Sequence, residues 1–140
     1  MDVEDFKNAS MNLKEFKKSV PESDHLKACL DLLSRLGFVV WRSNAGGSTF
    51  RHQYKKGIRK RLIAQYHVRF GFKGLPDICG YIKGGQSSGA TPFFWEVKRH
   101  KGKIKPEQKT FIETAKRHGA FAGVGTIDDL IEDLRNSGYL

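Results

Sequence analysis

The chain has 140 residues, 39% of them hydrophobic, and 25 Lys and Arg against 15 Asp and Glu give a formal net charge of +10. That length predicts one domain able to bury a core without disulfides or a structural metal, and the charge predicts a polyanionic partner, nucleic acid ahead of an anionic membrane surface. No apolar run approaches the ~18 residues of a bilayer span, and the first 20 residues lack the apolar core of a secretory signal. Cys29 and Cys79 form no CxxC pair and each sits in an apolar pattern. They predict free, buried thiols in a reducing cytoplasm rather than zinc, which wants four ligands.

Residues 1–20 form an N-terminal arm, as compatible with a short amphipathic helix as with a frayed end. A helix is predicted over Pro21–Leu36, with Leu26, Cys29, Leu30, Leu33 and Leu36 as its apolar stripe, Ser19 or Ser23 as its cap and Gly37 as its stop. Glu22 lies four residues before Leu26 and projects from the buried stripe. A first-turn acid serving the helix dipole and a site residue are equal readings of it. Phe38–Arg42 reads as a strand, broken by the Ser-Asn-Ala-Gly-Gly run that follows.

Residues 48–73 form a basic insertion in the domain, which spans residues 21–140. The insertion holds Arg51, Lys55, Lys56, Arg59, Lys60, Arg61 and Lys73, interleaved with Phe50, Tyr54, Tyr66, Phe70 and Phe72. No acid occurs from Gly37 to Pro76. A solvated face is the plain alternative, but cations interleaved with aromatics and free of acids favour a surface that tracks phosphates.

Leu75–Ile82 and Pro92–Lys98 are strand-like runs joined by the turn residues Lys83–Ala90. A hairpin pairing Ile82 with Thr91 puts Asp77 opposite Glu96. Side chains alternate faces along a strand, so Phe94, Glu96 and Lys98 share the face of Asp77. Ile78, Gly80, Ile82, Phe93, Trp95 and Val97 take the other face as core, to which neither acid belongs. Facing carboxylates repel, and a hard divalent cation between them, Mg²⁺ or Mn²⁺, removes that cost.

Arg99, Lys101 and Lys103 follow as a second basic cluster. Pro106–His118 is the second helix, with Phe111, Ile112 and Ala115 as its stripe and Gln108 on the same face. Gln108 either caps an inner polar contact or leans over the hairpin toward bound phosphate. Ala120–Gly125 is a small-residue strand. Thr126 caps a last helix over Ile127–Asn136, whose many acids predict that it faces away from the polyanion.

The order helix, strand, hairpin, helix, strand, with Glu22, Pro76-Asp77, Glu96-Val97-Lys98 and Gln108, resembles the VRR-NUC branch of the PD-(D/E)XK nucleases, the stand-alone, phage-type members above all. The likeness extends over Pro21–Gly125 and includes Arg42-Ser43-Asn44 and Gly74. It implies an α/β fold with a restriction-endonuclease-like core, a mixed central sheet and a C-terminal helix. It implies that Asp77, Glu96 and the Val97 carbonyl bind the metal, with Glu22 reaching it through water. It implies that Lys98 orients the attacking water or neutralises the scissile phosphate, and Gln108 resembles the family's glutamine in this helix. Where the family often caps that helix with Ser or Thr, this chain has Lys105. Asn44 joins the residues expected to contact DNA. The implied activity is Mg²⁺-dependent hydrolysis of structured or branched DNA. A nuclease of linear duplex and a non-catalytic nucleic-acid-binding protein on the same fold are the alternatives. Two strands to cut and one site per chain predict a homodimer.

Overall fold

The computed structural model describes residues 19–43, 47–56, 59–69, 71–83 and 89–140, with residues 47–56 and 59–69 given as strands by backbone path and register. Most of the predicted arm lies outside the described residues.

Helix α1 (Glu22–Arg35) buries His25, Leu26, Cys29 and Leu33, with Leu30 and Leu36 partly buried against the same core. Neither serine caps it. Pro21 is its N-cap residue, in extended backbone and without a side-chain bond, and the acids Glu22 and Asp24 in the first turn favour the helix dipole instead. Strand β1 (Val39–Arg42) follows. Then β2 (Gly47–Lys56) and β3 (Arg59–Arg69) pair antiparallel as a separate two-stranded sheet within the basic insertion.

The main sheet is completed by β4 (Ile78–Lys83), β5 (Ala90–Val97) and β6 (Phe121–Gly125), in the order β1-β4-β5-β6. The β1/β4 and β4/β5 pairs are antiparallel and β5/β6 is parallel, so the sheet is mixed as expected. Helix α2 (Pro106–Arg117) makes the crossover that a parallel pair requires. Helix α3 (Ile127–Asn136) ends the fold, capped reciprocally by Thr126 and Asp129.

One face of the sheet is the predicted core. Ile78, Ile82, Phe93, Trp95 and Val97 pack with Leu26, Cys29 and Leu33 of α1 and Leu130 and Leu134 of α3. The acid-rich α3 thus lies on the core side. A Cβ at Gly123 would collide with the Trp95 ring, so only glycine lets β6 approach that indole. On the other face α2 packs on β5, where Phe94 meets Phe111 edge-on at 5.0 Å. Val39, Trp41 and Tyr81 remain exposed at the β1 edge, with the Trp41 and Tyr81 rings 5.7 Å apart.

Candidate active site

The β4/β5 hairpin has the predicted register, Ile82 opposite Thr91 and Ile78 opposite Trp95. The ladder stops there, one residue short of the Asp77–Glu96 pair. Beyond it the Val97 amide has no backbone acceptor on β4, and the Asp77 carboxylate takes that place, accepting the Val97 N–H at 3.0 Å through Oδ2. The Asp77 segment is tied down from a second side. The Ser43 amide donates to the Asp77 carbonyl at 2.7 Å, and the Ser43 hydroxyl donates to the Pro76 carbonyl. Gly74 reinforces the loop: its φ is +89°, and a Cβ there would lie 2.6 Å from the Glu107 carbonyl oxygen of α2.

Glu96 departs from the expectation that neither acid belongs to the interior. It is 1% exposed, as buried as the core residues on the opposite face. The cause is α2, which covers this part of β5. Glu96 Oε1 accepts from both the Lys98 ammonium and the Gln108 amide nitrogen, while Oε2 is buried with no hydrogen-bond partner among the described residues. Gln108 uses its other end too, accepting the Lys105 N–H through Oε1 at 3.0 Å. This closes the start of α2 where Lys105 offers no capping oxygen, so the first of its two expected roles is the one seen.

The electrostatics follow from burial. Burial pushes the Asp77 carboxyl above its ordinary range; the Val97 amide and Lys98 pull it back, Glu22 pushes it up and Arg42 down. Burial likewise raises Glu96, the Lys98 hydrogen bond opposes this, and the charge of Asp77 adds to the rise. Burial outweighs the pull of Lys98 and Arg42, so both acids resist ionisation and the pair favours added positive charge.

Glu22 is exposed in the first turn of α1. With Arg42, Asp77 and Val97 it lines a cleft of about 260 Å³ beside the carboxylates. Arg99, Lys101 and Lys103 are exposed directly after Lys98, and Lys73 pairs with Glu107. Arg51, Lys55 and Lys56 lie on β2 and Arg59, Lys60 and Arg61 on β3, with Lys55 opposite Lys60 and Lys56 opposite Arg59. Asn44 lies outside the described residues.

Arg42 and Ser43, named from sequence only as part of the resemblance, take their roles from the tertiary structure. Ser43 bonds a residue 33 positions away, and Arg42 reaches Asp77 only because β1 pairs with β4. The local run Arg42-Ser43-Asn44 gave neither role.

Among the described residues there is no cluster of three or more His, Cys, Asp or Glu placed to hold a metal, and no helix long and apolar enough to cross a membrane. A family model of the VRR-NUC domain matches residues 20–127, which include every element from α1 to β6. No curated protein and no solved structure matches the chain. An α/β core with a mixed sheet that gathers Asp77, Glu96 and Lys98 agrees with that match, and the chain belongs to the VRR-NUC family, a nuclease domain of PD-(D/E)XK type that acts on DNA.

Proposed function

We propose that the chain is a divalent-metal-dependent endonuclease that cuts structured or branched DNA, junctions and flaps ahead of plain duplex, as a homodimer. The observation that carries the metal is Glu96 Oε2, buried and unpaired among the described residues. Leaving a charged oxygen so is costly, and a hard cation satisfies it.

The available donors are the carboxylates of Asp77 and Glu96 and the Val97 carbonyl, with Glu22 reaching in through water. So sparse a set suits Mg²⁺, which takes one or two carboxylates and keeps several waters, with Mn²⁺ as substitute. Bound there, the ion supplies a water of lowered pKa and neutralises charge on the phosphate. Gln108 fixes the rotamer of Glu96. Lys98, whose side chain is 13% exposed, is held by Glu96 at the carboxylates and presents a fixed positive charge to a phosphate arriving there. The acid-free insertion and Arg99, Lys101 and Lys103 extend a cationic track for the flanking backbone.

Family membership supports the branched substrate. The exposed Val39, Trp41 and Tyr81 at the β1 edge supply apolar surface for a second copy. Two free, buried thiols suit a reducing cytoplasm.

The test is cleavage of a four-way junction, a flap and a linear duplex of matched sequence, in Mg²⁺ and in EDTA, by the wild type and by Asp77→Asn. Cutting confined to Mg²⁺ and fastest on the branched substrates, with Asp77→Asn inactive, is the expected result. Wild-type rates from Asp77→Asn would falsify the site. Light scattering at tens of micromolar should give a dimer that Trp41→Glu dissociates; a strict monomer removes the two-strand argument.

A further inference from the structure

A second cavity, of about 590 Å³, opens on the α2 side of the sheet, with Phe94, Phe111, Ala115 and His118 in its wall and Lys73 and Glu107 among its lining residues. Phe111 is the centre of an aromatic set. Its ring meets Phe94 edge-on and faces Phe72 at 5.7 Å with an interplanar angle of 32°. Phe72 is 57% exposed, among the most exposed large apolar side chains described. A phenyl ring more than half in water, set against a wall residue of an apolar cleft, offers a planar apolar surface to a ligand.

The cleft is tied to the carboxylates through the elements that carry both. Phe94 lies two residues before Glu96 on the same face of β5, and Phe111 lies three residues after Gln108, which donates to Glu96. A nucleotide next to a phosphate held at Glu96 therefore lies toward these rings along β5. A base paired in duplex has both faces stacked already, whereas an unpaired base needs a planar apolar surface. The cavity is within the size range of small-molecule sites and far too small for a duplex.

We infer that the cleft walled by Phe94 and Phe111, with Phe72 set against Phe111 at its side, is a nucleobase subsite that stacks one unpaired base adjacent to the scissile phosphate, selecting substrates with an unpaired nucleotide at that position. The inference rests on the reading of Asp77, Glu96 and Lys98 as the cutting site. It makes Phe72 a specificity residue, in contact with the substrate and outside the chemistry.

The experiment uses the full chain, Mg²⁺ and a flap or junction substrate in which single nucleotides around the cut are replaced one at a time by an abasic analogue. One position next to the scissile phosphate should lower kcat/KM by about five- to a hundredfold, the range of one base–aromatic stack. Phe72→Ala should lower kcat/KM on the intact substrate by a similar factor and abolish sensitivity to the abasic position. Phe72→Trp should restore both. Phe72→Leu, which keeps the apolar bulk without the π-face, should behave like Phe72→Ala at an unchanged melting temperature. DNA that is cut with a flat abasic scan, or losses from Phe72→Ala and the abasic site that multiply, overturns the subsite and leaves the nuclease reading standing. A wild type that cuts no DNA overturns both.

Discussion

Gln108 and Glu96 are coupled across two elements. The amide of Gln108 donates to Glu96 at one end and accepts the N–H of Lys105, the N-cap residue of α2, at the other. One side chain therefore sets both the rotamer of a buried carboxylate and the start of the helix that buries it.

Replacing Gln108 by Ala removes both bonds. The missing helix-start bond alone should cost about 0.5–2 kcal/mol, a fall of several degrees in Tm. Cleavage should fall more than tenfold because Glu96 is no longer oriented. Gln108→Glu should be worse, since it sets a second carboxylate against Glu96. Calorimetric Tm and single-turnover cleavage check this; an unchanged cleavage rate in Gln108→Ala would detach the helix cap from the site.

Lys98→Ala leaves Glu96 buried without its counter-charge. Breaking one half of a buried pair costs about 3–5 kcal/mol, so the variant should melt well below the wild type in EDTA. Adding Mg²⁺ should recover part of that loss, because the ion takes over the role of the ammonium. Titration calorimetry should show metal binding no weaker than in the wild type, while cleavage drops by about a hundred- to a thousandfold. A variant whose EDTA deficit is unaffected by Mg²⁺ would place the metal away from Glu96.

The raised Asp77 and Glu96 carboxyls predict an unusual pH dependence. A folded pKa above the unfolded one favours the neutral form in the fold. The stability contribution is then full below the unfolded value, near 4, and is lost as pH rises through the raised folded value. Asp77→Asn removes one of these groups and keeps an acceptor for the Val97 amide. In EDTA its Tm should match the wild type near pH 4 and exceed it increasingly toward pH 7. Mg²⁺ should erase the difference, with metal affinity rising over the same interval as protons are displaced. A gap constant with pH contradicts the assignment.

The β2/β3 register sets Lys55 opposite Lys60 and Lys56 opposite Arg59. Changing Arg59, Lys60 and Arg61 to Ala should flatten the slope of log K against log salt by about 0.9 for each phosphate of duplex DNA that is no longer neutralised. The effect should be equal across sequences if these residues hold backbone rather than bases. An unaltered slope in fluorescence-anisotropy titrations would turn this hairpin away from DNA.

Local patterning was enough to read α1, α2, α3 and the register of β4 against β5. Alternation along Ile78–Ile82 and Phe93–Val97 leaves one pairing that puts Ile78, Ile82, Phe93, Trp95 and Val97 on one buried face, and the shared face of Asp77, Glu96 and Lys98 follows from that pairing. The β2/β3 hairpin was not legible, because the register shifts between His52 and Gln53 and breaks the period of two in a segment already crowded with charge. Only tertiary structure decided that Glu96 is buried, since its cover comes from a helix further along the chain, and that Asp77 completes a broken ladder rather than pairing within it. The aromatic cleft was equally hidden. Phe72, Phe94 and Phe111 lie far apart in the chain, and they meet because the parallel β5/β6 crossover carries α2 back over the face of the sheet that bears the acids.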